Sequence, residues 1–185
     1  MNRLPRLAVL SIAGILAFVP LSAQATQPHA GLETRPIKAL SAEQIADLKA
    51  GRGMGLALVA ELNGYVGPVH VLELAYSLHL SADQRAKMEE LFAAMKAEAI
   101  LLGEELIAQE SDLDRRFADG TITETSLTAA TQAIGSTRAA LRAAHLKYHL
   151  AATEVLSPMQ IQRYAELRGY TSGGSADQPH TGHQH

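Results

Sequence analysis

The chain is predicted to be all-α: a long antiparallel helical hairpin with short flanking helices. Three observations predict it. Aromatic residues make up 4 % of the 185 residues and Trp is absent, so the core must be aliphatic and alanine-rich, which suits close helix packing better than a sheet. Two long stretches carry apolar residues at alternating steps of three and four. A short phrase, Leu-Ser-x-x-Gln, occurs three times, each time where a helix should begin.

Residues 1–25 are read as a secretory signal peptide rather than as part of the fold. Arg3 and Arg6 supply a positive start, Leu7 to Val19 is uncharged and apolar, and Ala23-Gln24-Ala25 fits the small-x-small cleavage rule. A membrane anchor would need roughly 20 apolar residues. Cleavage after Ala25 makes the mature chain periplasmic and leaves it mildly acidic, at about −5 with His neutral. That charge gives no basis for nucleic-acid binding. The absence of Cys rules out disulfides, thiolate metal sites and a cysteine nucleophile.

Residues 26–38 carry two prolines and no periodic pattern, and are expected to form a mobile leader to a helical domain over 39–170. Leu40-Ser41-Ala42-Glu43-Gln44 opens the first helix as a capping box, with Ile45 placed for a hydrophobic staple. Ala50 to Gly55 is an interhelical loop; its glycines miss the G-x-G-x-x-G spacing because Leu56 stands in the last position. Short helices follow over Leu56–Leu62 and Val69–His79, separated by Asn63-Gly64 and Gly67-Pro68.

The second phrase, Leu80-Ser81-Ala82-Asp83-Gln84, starts a long helix whose apolar stripe runs through Met88, Met95, Ala99 and Leu106. Asp119-Gly120 ends it, and Thr123 caps a second long helix with a stripe through Leu127, Ile134, Leu141, Tyr148 and Val155. The third phrase, Leu156-Ser157-Pro158-Met159-Gln160, places Pro158 at the first helical position of a last helix ending near Gly169. Residues 171–185 form a Gly-, Ser- and His-rich tail that is expected to be disordered. Leu91, Leu101, Leu146 and Leu150 lie off the stripes and need cover from flanking helices or from a second copy, hence the expected homodimer.

His145 and His149 are one helical turn apart and can converge on one metal ion. Neutral imidazole suits Zn, Ni, Co and Cu. Two ligands do not make a site; the others could come from His70 and Glu73, at i and i+3, or from Glu98 across the hairpin. A pair at this spacing also serves simply to fill an amphipathic edge. The sequence His-Leu-Lys-Tyr-His lacks the Glu of a zinc protease motif, and no Ser-His-Asp set or phosphate loop is present, so no enzyme is read. His180, His183 and His185 could capture metal weakly, or could belong to an unselected terminus.

The signal peptide, the hairpin order and the phrases at Leu80, Ser81, Gln84 and at Leu156, Ser157, Gln160 together resemble the Spy/CpxP superfamily of bacterial periplasmic proteins. Its L-T-x-x-Q motif carries Ser for Thr here. The resemblance covers roughly residues 69–168 and implies a dimeric helical cradle without catalysis. It implies either a metal-binding sensor or heavy-metal-resistance and envelope-stress accessory, or an ATP-independent chaperone that holds unfolded clients. The partners it implies are an inner-membrane sensor kinase, an anti-sigma factor or those clients. In the metal sensors the resemblance implies a His pair ahead of the first motif, a Glu after it, and a His and Met before the last. Here Leu74 stands one turn after His70 where the second His is wanted, and Thr153 stands one turn after His149 in place of Met.

Overall fold

The computed structural model describes residues 29–170. The signal peptide expected over 1–25 and the tail histidines His180, His183 and His185 lie outside the described residues. Among the described residues there is no strand, and the order is α1 (Ala42–Ala50), α2 (Leu58–Glu61), α3 (Pro68–Glu73), α4 (Ala82–Ala118), α5 (Glu124–Val155) and α6 (Pro158–Leu167). A single 3-10 turn, Leu32–Thr34, precedes α1. None of these helices is long and apolar enough to cross a membrane.

All three Leu-Ser-x-x-Gln phrases are capping boxes, each Ser accepting from the Gln backbone and each Gln side chain accepting from the Ser N–H. A fourth box, Thr123 with Ser126, starts α5. Gly120, at φ 65°, makes the left-handed turn after α4 that reverses the hairpin. The second and third boxes also dock on each other. Gln84 Nε2 donates to Gln160 Oε1 at 2.9 Å while Gln160 Nε2 donates to Gln84 Oε1 at 3.0 Å. The same two amides donate to the Val155 and Leu78 carbonyls. The recurring Gln therefore does two jobs: it closes its own helix start, and it clamps the end of α5 to the start of α4.

Two buried clusters support the hairpin. Ile37, Leu40 and Leu48 pack with Ala99, Leu106, Ile134 and Leu141, while Val66, Val71 and Leu78 pack with Met88, Ala152, Leu156 and Tyr164. The leader expected over 26–38 thus ends in a core residue, Ile37, and Lys38 pairs with Asp114 of α4 at 3.1 Å. Close packing of α1 on α4 rests on Gly103, where an added Cβ would stand 2.5 Å from the Leu48 carbonyl oxygen.

Three expectations change. The apolar helix expected over Leu56–Leu62 is a single turn, bounded by left-handed Gly55 and Gly64. The helix expected over Val69–His79 stops at Glu73, and the chain continues in turns to a left-handed His79, with Leu80 N–H closing on the Ala75 carbonyl. The stripe on α5 also rotates. Ile134, Leu141 and Ala144 are buried as read, but beyond them the buried positions are His145, His149 and Ala152, and Tyr148, Ala151 and Val155 are half-buried. A helix of 3.6 residues per turn drifts about 20° per heptad, so after three heptads the inward direction has turned by about 60°, more than half the step between successive residues, and it favours the next position along the chain. The two histidines sit on the core face itself.

Candidate functional site

Between the two clusters the hairpin leaves a cavity of about 810 Å³. His145 and His149 line it from α5, His70 and Glu73 from α3, and Glu61 from α2. The sequence-predicted residues therefore meet around one space. Glu98 does not join them: its carboxylate takes Lys147 Nζ at 2.7 Å and the Tyr148 hydroxyl at 3.2 Å. His70 Nδ1 and Glu73 Oε2 are 3.0 Å apart and lie toward solvent, at the rim.

The floor is built by the segment from Glu61 to Pro68, which is strapped across α5. Val66 N–H donates to Thr153 Oγ1 at 3.0 Å, and His149 Nδ1 lies 3.0 Å from the Tyr65 carbonyl oxygen. Thr153, where the resemblance wants Met, is thus occupied in holding this strap. A carbonyl only accepts, so His149 Nδ1 carries the hydrogen and the neutral ring keeps its lone pair on Nε2. An imidazole oriented by a backbone carbonyl in this way is the usual arrangement of a metal-binding histidine.

Glu61 was not singled out from sequence, although it is 93 % buried and faces the same space. Its Oε1 accepts from the Tyr164 hydroxyl, accepts from the Tyr170 hydroxyl at 3.2 Å, and lies 3.5 Å from Arg168 Nε. Burial, reinforced by the hydrogen bond to Glu61, holds the Tyr164 phenol far above its ordinary range, so it stays a donor. Oε2 is buried without a hydrogen-bond partner and stands 3.6 Å from His149 Nδ1.

His145, at 2 % exposure the more deeply buried histidine, also has a partnerless ring atom, Nε2. Burial first, and the neighbouring His149 second, push its pKa below 6.5, so at neutral pH it is an uncharged ring. Orphaned buried polar atoms cost about 1–3 kcal/mol each and call for an explanation.

Gly67 separates these groups. A Cβ there would lie 3.2 Å from both His149 Nε2 and Glu61 Oε2, so only the missing side chain leaves them open to each other. Among the described residues, no three His, Asp or Glu side chains are grouped closely enough to hold a metal ion as they stand. The cavity thus offers donors of the right kind, one carboxylate oxygen and two imidazole nitrogens, without a closed ligand set.

Comparison with family models, with curated proteins and with solved structures returned no significant match to this chain.

Proposed function

We propose that the chain is an exported, metal-responsive accessory protein of the heavy-metal-resistance or envelope-stress kind, which takes a divalent ion of the Zn, Ni, Co or Cu group into this cavity. The observation that carries the reading is the pair of buried, partnerless ligand atoms, Glu61 Oε2 and His145 Nε2, beside a His149 ring whose tautomer presents Nε2. An ion among them would answer both orphaned atoms at once. Glu61 comes from α2 and the histidines from α5, so binding would tie the strap to the hairpin and change what the protein presents to a partner.

Binding of Zn(II) to the mature chain should raise its melting temperature, and a His145→Ala, His149→Ala double variant should lose that rise. An undiminished rise in the double variant would sink the reading. A sensor kinase or anti-sigma factor remains the expected signalling partner. A second copy of the chain is also expected, because Leu101 and Phe117 stay exposed on α4; a monomeric mature chain in sedimentation would count against it.

One observation favours the alternative, an ATP-independent holder of unfolded clients. Leu58, Val59 and Leu62 on the α2 turn and Leu150 on α5 are all more than half exposed. Metal-independent suppression of client aggregation, weakened by Leu58→Ser with Leu62→Ser, is the result that reading requires.

A further inference from the structure

The metal-responsive cavity, on which this inference rests, has room and charge for more than a bare ion. Its volume of about 810 Å³ falls among pockets that hold small organic ligands, roughly 300–1,000 Å³. Zn(II) takes four donors in structural sites, yet no closed trio of His, Asp or Glu stands among the described residues. Coordination positions beyond Glu61, His145 and His149 are therefore open to donors that arrive with the ion. The charges of the lining say what kind of molecule brings them. Arg52 and Lys96 line the same cavity, and Arg168 lines it beside Glu61, at 3.5 Å. Arg52 and Lys96 share one wall because Gly51, left-handed at φ 63°, lets the end of α1 lie against α4, where an added Cβ would stand 2.9 Å from the Lys96 carbonyl oxygen. Arg52 pairs with Asp47, while Lys96 has no acid within ion-pair distance among the described residues. Such cations repel a bare dication and attract the carboxylates of a molecule that carries it.

We propose that the cavity takes its ion as a chelate, held by a small polycarboxylate that bears a hydroxyl or an amine next to one carboxylate. That adjacent pair of donors grips the ion, and His149, His145 and Glu61 supply the remaining ligands from the cavity floor. A second carboxylate, which the ion does not need, meets Lys96 and Arg52 on the opposite wall. The charges then balance: the two imidazoles are neutral, the Glu61 carboxylate already faces Arg168, and the chelator's carboxylates are shared between the dication and the cationic wall. The volume, the incomplete ligand set and the cationic wall thus have one cause.

The test is equilibrium dialysis of the full mature chain against radiolabelled citrate, whose extra donor is a hydroxyl, or L-aspartate, whose extra donor is an amine, each with and without Zn(II). With one equivalent of Zn(II) the chain should retain at least one of the two acids, and without Zn(II) neither; the acid that is retained identifies the donor chemistry. Lys96→Gln should weaken that retention about tenfold, and Lys96→Glu, which reverses the charge of the wall, should weaken it further. Lys96 is exposed, so both variants should keep the urea midpoint of the wild type. Zinc bound with neither acid retained would overturn the proposal and leave the cavity reading standing. Acid retained equally without zinc, or equally by Lys96→Glu, would overturn it as well. Zinc and acid both held by His149→Ala as tightly as by the wild type would instead overturn the cavity reading, and this inference with it.

Discussion

Replacing Gly67 by Ala is the sharpest perturbation of the site, because it adds one methyl group at the point where the two cavity donors face each other. Gly67 has φ −86° and ψ 133°, an extended conformation open to any residue, so no backbone strain arises. Restricting the unfolded chain favours the variant by about 0.4–1 kcal/mol. Against this, the new Cβ would lie 3.0 Å from His149 Cε1 and 3.2 Å from both His149 Nε2 and Glu61 Oε2. Overpacking of this sort costs about 1–3 kcal/mol, so the net destabilisation should be about 0–2.5 kcal/mol and the fold should survive. Metal binding should suffer more, because the methyl would crowd both donor atoms at 3.2 Å, where an ion would have to sit. Urea denaturation with and without Zn(II) separates the two effects. The apo midpoint should fall slightly, and the zinc-induced increment should drop by at least about 1.4 kcal/mol, the equivalent of tenfold in affinity. A full zinc increment in the variant would refute the convergence of His149 and Glu61 on one ion.

Three further outcomes follow from the same geometry. In a double-mutant cycle of Gln84→Ala and Gln160→Ala, each single change should cost about 1–3 kcal/mol, with a coupling of at least about 0.5 kcal/mol from the reciprocal amide pair; zero coupling in urea denaturation would contradict the clamp. Gly103→Ala should destabilise by about 1–3 kcal/mol despite the higher helix propensity of Ala, since its methyl would stand 2.5 Å from the Leu48 carbonyl oxygen; a more stable variant would contradict the close approach of α1. For His145 the folded-state pKa lies below 6.5, so the unfolded chain takes up a proton that the folded chain refuses. Its contribution is nil above about pH 6.5, and stability is lost as pH falls from there toward the folded pKa, at no more than about 1.4 kcal/mol per pH unit for one proton. Thermal melts of wild type and His145→Gln between pH 7.5 and 5 should therefore diverge below pH 6.5, the wild type falling faster; parallel curves would contradict a buried neutral ring.

The helix starts were legible because a capping box is local: Ser41, Ser81 and Ser157 need only the Gln three residues on. The hairpin was legible for a similar reason, since a stripe at three-four spacing belongs to one helix at a time. The mutual clamp of Gln84 and Gln160 was not, because it joins residues 76 apart and nothing in either phrase announces the other. Gly103 looked like a neutral member of a long helix; its role appears only where α1 crosses it. The histidine pair was visible by spacing, yet a strict heptad placed the inward face on Tyr148, and only the drift of a real helix turns His149 inward. Glu61 was the costliest omission. Its single signal was a lone acid in an apolar turn, Leu58-Val59-Ala60-Glu61-Leu62, flanked by glycines on both sides. A carboxylate in that position is buried only with partners, and its partners Tyr164, Arg168 and Tyr170 come from the far end of the chain.

The central claim is that His149 Nε2 binds the ion while Nδ1 stays hydrogen-bonded to Tyr65. Long-range proton–nitrogen correlation NMR of the imidazole rings, recorded as Zn(II) is added to the full mature chain at neutral pH, tests it directly. Before zinc, the His149 ring should show the Nδ1–H tautomer. With one equivalent, its Nε2 resonance should move to a metal-bound position while Nδ1 stays put. An unshifted His149 Nε2 at one full equivalent, with zinc-induced changes confined to His180, His183 and His185, would contradict the account.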